Sequence, residues 1–249
     1  MLPPGSQHEL PVVLLVDDDL VSREVIATIL TLSGYMVHTA DNGEAAVALL
    51  KARVCDPGVV LADVQMPGLS GLPLIAALRG LGAGAALYLI SGSQPPAEMA
   101  AAADGVLLKP FSPAALHRLL QGRSPQTAVS FLDSSQPVVS AEMIRQFRQM
   151  MPEPAIREIY SAMAADLKRR IEALGIAISR HDAAEVRRIG HAIKGGCGMA
   201  GALQAAHLGE LLEASGPGNN QLDNSRALLR DLRTAAQALQ RMLEDELPA

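Results

Sequence analysis

The 249-residue sequence predicts an α/β domain with a doubly wound, five-stranded parallel sheet, followed by an all-α antiparallel helical bundle. Three observations lead to this prediction. Short apolar runs alternate with helical patterns up to residue 121, a stretch of linker composition follows, and the pattern is helical alone from residue 139 onward. The predicted domains are therefore 10–121 and 139–247, joined by a linker at 122–138.

The first predicted domain consists of apolar runs short enough to be strands, each followed by a helical stretch. Such an alternation builds a parallel sheet that helices cover on both faces. The predicted strands are Val12–Val16, Tyr35–Thr39, Val59–Ala62, Leu87–Ile90 and Val106–Leu108. The predicted helices are 20–32, 43–53, 70–79, 95–103 and 112–121.

The second predicted domain begins after a segment rich in Ser, Pro and Gly, a composition that is typical of linkers. Long helical patterns with short connections then favour an antiparallel bundle. Ser140 and Asp182 are predicted to be helix N-caps. The predicted helices are 140–150, 153–179, 182–199, 201–214 and 221–245.

Composition and charge argue against several classes of protein. Neither half of the chain has the basic excess of a nucleic-acid-binding domain. No apolar run approaches the roughly 20 residues of a membrane span, and we expect no signal peptide. Cys55 and Cys197 fall in different predicted domains, so we expect a reducing, cytoplasmic compartment rather than a disulfide framework. No glycine-rich nucleotide-binding loop is present, and a kinase activity is therefore not expected.

Polar side chains follow four of the predicted strands at the point where each strand ends. These residues are Asp17, Asp63, Ser91 and Lys109. Because the carboxyl ends of parallel strands meet at one edge of a sheet, we expect the four side chains to lie close together. Carboxylates are the ligands that Mg²⁺ prefers, and a lysine can pair with a phosphoryl oxygen. Taken alone, Asp17–Asp19 could equally be a helix-capping cluster, and Asp19 is the expected cap.

With these residues the first domain resembles the receiver domains of two-component signalling over nearly all of 10–121. The resemblance rests on the acidic pair after the first strand, the pattern D-x-x-M-P-x-x-x-G from Asp63, and the Lys109-Pro110 pair. It implies a flavodoxin-like fold, a phosphoryl group accepted on Asp63, catalytic or switch roles for Ser91 and Lys109, and a cis bond before Pro110. The residues that it assigns to Mg²⁺ are Asp17, Asp18, Asp63 and Gln65, the last through its backbone carbonyl.

Two features depart from the receiver pattern. Val106 stands where receivers often carry an aromatic residue. The stretch from Ser91 to Lys109 is about one helical turn shorter than usual. We therefore expect an altered surface around the fourth helix, with phosphoryl acceptance retained.

The helix predicted at 182–199 carries a histidine on the side away from its apolar stripe. At 100° per residue the stripe faces the bundle core, and His191 lies opposite, exposed beside Lys194. Glycine inside a helix costs about 1 kcal/mol relative to alanine, so the neighbouring glycines suggest that a partner must approach closely. The residues expected to face solvent and meet that partner are Arg187, Arg188, Gly195 and Gly198.

The run from His191 to Gly195, with Gly201 beyond it, resembles the motif H-x-L-K-G-x-x-x-x-x-G of histidine-containing phosphotransfer (HPt) domains. The resemblance covers about residues 138–246. It implies phosphorylation of one imidazole nitrogen of His191, with Lys194 stabilising the phosphoryl group. The alternative is an ordinary exposed histidine that precedes a glycine-rich helix terminus.

Together the two resemblances predict a phosphorelay intermediate with no membrane span and no nucleic-acid partner, rather than an enzyme. Asp63 would accept a phosphoryl group from a sensor histidine kinase, in a Mg²⁺-dependent step that the receiver itself catalyses. His191 would exchange a phosphoryl group with a receiver domain, in this chain or in a downstream protein.

Three other interpretations stay open. The chain could be the C-terminal receiver–HPt part of a hybrid histidine kinase, or a response regulator whose helical half is an interaction module. The run Asp17–Val21 also fits the start of haloacid-dehalogenase-like phosphatases, with Ser91 and Lys109 as the next two motifs. That family needs a further acidic pair after the lysine, and no acidic residue follows before Asp133.

Overall fold

The computed structural model describes residues 12–81, 84–121, 137–214 and 221–246. The predicted linker at 122–138 lies almost entirely outside the described residues. None of the described helices is both long enough and apolar enough to cross a membrane.

The first domain is a five-stranded, all-parallel sheet with helices on both faces, which confirms the predicted fold class. The strands are β1 (Val13–Val16), β2 (Val37–Ala40), β3 (Val59–Asp63), β4 (Ala86–Ser91) and β5 (Gly105–Leu108). Their order in the sheet is β2-β1-β3-β4-β5. The helices are α1 (Leu20–Leu32), α2 (Gly43–Lys51), α3 (Gly71–Leu81), α4 (Ala97–Ala101) and α5 (Pro113–Leu120).

Some element bounds differ from the prediction for identifiable reasons. Strand β2 starts two residues later than expected, because the backbone N–H of Tyr35 still donates to the carbonyl of Leu30 at the end of α1. Helix α4 has only five residues, since it starts after Pro96 and already ends before its C-cap residue, Ala102. The short α4 agrees with the shortened stretch noted in the sequence.

The second domain is a helical bundle, as predicted. The helices are α6 (Ala141–Met150), α7 (Glu153–Ser179), α8 (Ala183–Met199), α9 (Leu203–Glu213) and α10 (Gln221–Glu246). Helices α7, α8, α9 and α10 each contact two others of the four, and α6 packs on α7. Ser140 and Asp182 are confirmed as N-caps, with side chains that accept hydrogen bonds from Met143 N and Glu185 N.

Helix α1 joins the two domains. One of its faces covers the sheet, and the helix also contacts α7 and α8 of the bundle. A single apolar cluster runs from Val13 and Leu15 of β1, through Ile26 of α1, to Leu174 of α7 and Ile193 of α8. The opposite face of the sheet has its own apolar cluster beneath α2 and α3. The apolar core therefore continues without a break from the sheet, through α1, into the bundle.

Two glycines allow α8 and α9 to cross at close range. A Cβ atom on Gly190 would lie 2.7 Å from the backbone nitrogen of Glu213 and 2.8 Å from the carbonyl oxygen of Gly209. A Cβ atom on Gly209 would lie 2.6 Å from the backbone nitrogen of Lys194. Because all of these neighbours are backbone atoms, neither helix can yield locally.

Gly190→Ala or Gly209→Ala should therefore force α8 and α9 apart and destabilise the bundle by roughly 1–3 kcal/mol or more. Gly175→Ala in α7 is the matched control, since its nearest neighbour would be Leu229 Cδ2 at 3.9 Å. The control should gain stability, by up to about 1 kcal/mol, through its higher helix propensity. Urea unfolding of the three variants measures the difference, and equal stability of Gly190→Ala and Gly175→Ala would contradict the close crossing.

Candidate phosphotransfer site

An acidic cluster lies at the carboxyl ends of β1 and β3. Carboxylate oxygens of Asp17, Asp18 and Asp63 all lie within 4.8 Å of one another. Asp17 and Asp63 are buried, whereas Asp18 is exposed. Lys109, which follows β5, bridges the two buried carboxylates, with Nζ 2.7 Å from Asp17 Oδ2 and 2.6 Å from Asp63 Oδ2. The strand ends thus bring together three of the four side chains that the sequence placed there.

Burial and mutual repulsion govern the charges in this cluster. Burial raises the pKa of Asp17, and the ammonium group of Lys109 opposes that rise. Burial and the charge of Asp17 together raise the pKa of Asp18. Burial by itself would lower the pKa of Lys109, but the carboxylates of Asp17 and Asp63 outweigh it and raise that pKa, so Lys109 stays charged. One ammonium group against three carboxylates leaves an excess of negative charge.

This donor set fits a hard divalent cation such as Mg²⁺. Three carboxylates offer oxygen ligands within one coordination sphere, and the exposed Asp18 leaves the cluster open on one side. Asp63 is held in place, because its Oδ1 accepts a hydrogen bond from the backbone N–H of Gln65 at 2.8 Å and its Oδ2 accepts from Lys109. Gln65 also lines the adjoining cavity.

Ser91 does not face the cluster in this structure. Its hydroxyl donates to the backbone carbonyl of Ser93 at 2.6 Å, and it is the next residue, Gly92, that lines the cavity. The peptide bond between Lys109 and Pro110 is cis, as the receiver resemblance implied.

One cavity of about 550 Å³ contains both predicted phosphoacceptors. Asp18, Asp63 and Lys109 line it from the first domain. The bundle contributes the predicted phosphoacceptor, its cationic neighbours, two small residues and one glutamate: Arg187, Arg188, His191, Ala192, Lys194, Gly195 and Glu213. The two sites that the sequence placed in separate domains therefore face each other.

The first domain covers much of His191, whose side chain is 26% exposed, so the expectation of a free, solvent-facing histidine was wrong. A Cβ atom on Gly92 would lie 3.2 Å from His191 Cε1, so the imidazole lies against the end of β4. Gly198 is buried rather than solvent-facing, because α8 packs on the first domain there. The helical wheel could identify a face of α8, but it could not show that a domain covers that face.

Glu213 on α9 holds the imidazole ring, a role that the sequence analysis missed. His191 Nδ1 lies 2.8 Å from Glu213 Oε1, and this hydrogen bond is the main reason why the pKa of Glu213 is lowered. Since a carboxylate can only accept, Nδ1 carries the proton of this hydrogen bond, and in the neutral ring the lone pair therefore lies on Nε2. Lys194 Nζ lies 3.3 Å from both Glu210 and Glu213, which keeps the ammonium group beside the ring.

The cations predicted to dock a partner have different surroundings. Arg188 forms an ion pair with Glu185 of its own helix at 2.6 Å, and this pairing is the main cause of its raised pKa. Arg187 and Arg188 both line the cavity, and the charge of Asp18 acts on Arg188 across it. The bundle thus lines the cavity with an excess of positive charge, and the first domain lines it with an excess of negative charge.

Helix α8 touches the first domain through its glycines. A Cβ atom on Gly196 would lie 2.6 Å from Asp19 Oδ1, whereas a Cβ atom on Gly198 would make ordinary contact with Pro110 Cβ at 3.5 Å. Asp19 is the N-cap of α1, as predicted, and its Oδ1 accepts from the backbone N–H of Ser22 at 2.7 Å. This carboxylate therefore has little freedom to turn away. A Cβ atom on Gly195, by contrast, would have no neighbour within 4 Å among the described residues.

An acidic cluster that faces a histidine across one cavity is the arrangement expected of proteins that move phosphoryl groups between aspartate and histidine. Comparisons with known proteins agree. The family described as "Response regulator receiver domain" matches residues 13–121, and the family described as "Hpt domain" matches residues 142–244. The chain belongs to these two-component phosphorelay families and combines a receiver domain with an Hpt domain.

Individual relatives are similar to this chain over different shares of its length. The sensor histidine kinase AruS of Pseudomonas aeruginosa is 29% identical over 218 residues, which are 84% of this chain and 21% of that protein. The response regulator MprA of a Mycobacterium species is 34% identical over 151 residues, 55% of this chain and 65% of that protein. The solved structure of the chemotaxis protein CheY4 of Vibrio cholerae is 31% identical with a TM-score of 0.41, over 45% of this chain and 97% of that one. This chain therefore spans less than two thirds of the length of either curated relative.

The tautomer of His191 can be measured directly. In the unmodified protein, ¹⁵N NMR should show Nδ1 protonated and Nε2 unprotonated when the ring is neutral, because Glu213 accepts from Nδ1. Glu213→Ala removes the acceptor and should let both tautomers appear. A spectrum that Glu213→Ala leaves unchanged would show that another group orients the ring.

Gly196→Ala should separate the two domains. The added methyl group would collide with the fixed carboxylate of Asp19, while the bundle itself should fold normally with a slightly better helix. Gly195→Ala is the control, since its methyl group meets no neighbour. Small-angle X-ray scattering should report a larger radius of gyration for Gly196→Ala alone; the same radius in both variants would rule out the close contact.

Proposed function

We propose that the chain relays a phosphoryl group between Asp63 and His191 of the same molecule. The observation that supports this most strongly is the single cavity lined by both side chains. Two carriers that belonged to separate exchange reactions would not need to share a cavity. An interaction module with an incidental histidine would not explain why His191 is oriented by Glu213 toward the receiver edge.

The first step is the phosphorylation of the receiver. An Asp63 carboxylate oxygen attacks the phosphorus of a phosphohistidine on a sensor kinase, or of a small phosphodonor. The new P–O bond forms as the P–N or P–O bond of the donor breaks, and the donor keeps that electron pair. Lys109 lies within hydrogen-bonding distance of Asp63 and is charged, so it can pair with a phosphoryl oxygen.

The second step is transfer within the molecule. The lone pair of His191 Nε2 attacks the phosphorus of the acyl phosphate, the N–P bond forms, and the bond to the Asp63 oxygen breaks with its electrons left on the carboxylate. Glu213 stabilises the positive charge that develops on the ring, because it already accepts from Nδ1. Lys194 can neutralise an oxygen of the resulting phosphohistidine.

Asp17, Asp18, Asp63 and the carbonyl of Gln65 are the residues that would hold Mg²⁺ in this proposal. A bound Mg²⁺ would supply positive charge to the phosphoryl oxygens during in-line transfer. Ser91 would act as the switch residue only after its hydroxyl leaves the carbonyl of Ser93. Arg187 and Arg188 would attract the acidic receiver edge across the cavity.

The partners that we propose are a sensor histidine kinase upstream and a further receiver domain downstream. A second candidate is favoured by one observation: a sensor histidine kinase is similar over 84% of this chain. In that case the receiver and Hpt domains would work as the last relay stage of a hybrid kinase. We also propose a cytoplasmic location, which the two free, buried cysteines support.

The test is whether transfer occurs within one molecule. Acetyl phosphate with Mg²⁺ should label Asp63 first and His191 second, and the rate of the second step should not depend on protein concentration. Asp63→Asn should abolish both labels, whereas His191→Gln should retain the base-labile, hydroxylamine-sensitive aspartyl phosphate alone.

Mixing the two single variants is the control for transfer between molecules. Asp63→Asn can accept only from another chain, and His191→Gln can donate only to another chain. If the mixture labels His191 as fast as the unmodified protein at low micromolar concentration, transfer within the molecule is not the route.

A further inference from the structure

An ion pair crosses from the receiver to the Hpt domain beside the cavity. Arg170 NH2 of α7 lies 2.6 Å from Asp19 Oδ2 of the receiver, with side-chain exposures of 20% and 8%. Arg170 Nε also lies 2.5 Å from Asp166 Oδ2 of its own helix. The guanidinium group therefore lies between a carboxylate of each domain.

Both charges of the pair are costly to bury without each other. Burial raises the pKa of Asp19, and the charge of Arg170 opposes that rise. Burial would lower the pKa of Arg170, but Asp19 and Asp166 together raise it. The pair thus places two opposite charges 2.6 Å apart in a largely dry contact at the domain boundary, where either charge would be costly to bury alone.

Neither domain needs this pair for its own fold. Asp19 caps α1 with Oδ1, a function that the amide oxygen of asparagine performs equally well. Asp166 has a second arginine, because Arg169 NH2 lies 2.7 Å from its Oδ1. The negative charge of Asp19 is therefore not needed to cap α1, and Arg170 is not needed as the only counter-ion of Asp166.

We propose that the Asp19–Arg170 pair determines partner choice: it selects this chain's own Hpt domain as the partner of this receiver. The proposal rests on the proposed exchange between Asp63 and His191. A receiver with an uncharged residue at the position of Asp19 leaves Arg170 buried with one counter-charge fewer. An Hpt domain without an arginine at position 170 leaves the carboxylate of Asp19 buried without its counter-ion. Both mismatches raise the free energy of a wrong complex more than the matched pair lowers that of the right one.

The backbone contact at Gly196 makes this selection stricter. Because a Cβ atom on residue 196 would collide with Asp19 Oδ1, the carboxylate approaches the helix only where that residue is glycine. Oδ1 faces the glycine and the N-terminus of α1, while Oδ2 faces Arg170. The Asp19 carboxylate therefore favours a partner that has both a glycine at position 196 and an arginine at position 170.

The experiment compares transfer to His191 from two receivers. In the full chain, acetyl phosphate with Mg²⁺ loads Asp63, and the rate of internal transfer is followed. In the Asp63→Asn background, His191 is offered a separately phosphorylated foreign receiver that carries an uncharged residue at the position of Asp19. The ratio of the two rates measures selectivity.

Arg170→Gln should slow internal transfer roughly tenfold or more, because it leaves the charge of Asp19 buried without its partner. It should leave transfer from the foreign receiver unchanged or faster, so the selectivity ratio falls. Arg169→Gln is the matched control: Arg169 also pairs with Asp166, but its side chain is 61% exposed, and the ratio should stay near that of the unmodified protein. Labelling of Asp63 by acetyl phosphate should be the same in both arginine variants.

Asp19→Asn approaches the same pair from the receiver and leaves the Hpt domain untouched, so it decides the question if Arg170→Gln unfolds the bundle. Its internal transfer is normalised to its own Asp63 labelling, because Asp19 adjoins the acidic cluster. The double variant should be no slower than the worse single variant, since both remove one interaction. Normal internal transfer in Arg170→Gln and Asp19→Asn would overturn partner selection alone, whereas no internal transfer in the unmodified chain would contradict the proposed function itself.

Discussion

The close approach of helix α8 to its neighbours on two sides is the constraint on which the rest of the arrangement depends. On one side Gly190 and Gly209 let α8 cross α9 with backbone against backbone, and this places Glu213 beside the imidazole of His191. On the other side Gly196 lets α8 meet the N-cap of α1. His191 lies on the face between these two contacts. The glycines therefore contribute to phosphotransfer through the distances that they permit.

Two buried or partly buried cations pair with carboxylates along the same edge of the receiver. Lys109 bridges Asp17 and Asp63 within the receiver, and Arg170 bridges Asp19 and Asp166 between the domains. The two clusters are connected through the backbone, since the N–H of Asp19 donates to Asp17 Oδ1 at 2.9 Å. The three consecutive aspartates therefore have different surroundings. Asp17 pairs with Lys109, Asp18 lines the open cavity, and Asp19 pairs with Arg170 of the other domain.

The sequence was sufficient to predict the fold and the separate residue groups, because both depend on local patterns. Alternating apolar runs identified the sheet, and strand ends collected Asp17, Asp63 and Lys109 at one edge. The docking of the domains could not be predicted in this way. Arg170 reads as an ordinary charged residue in a long amphipathic helix, and Glu213 is 22 positions from the histidine that it orients. Their roles depend on contacts between elements, which leave no periodicity in the chain.

Because the receiver partly covers His191, another protein cannot approach this histidine freely. A covalently attached domain competes for its partner at a high effective concentration. In the proposed relay, a downstream receiver would therefore compete for His191 with a receiver that is already in place. The output of the relay would then depend on how readily the two domains of this chain separate, as well as on the chemistry of transfer.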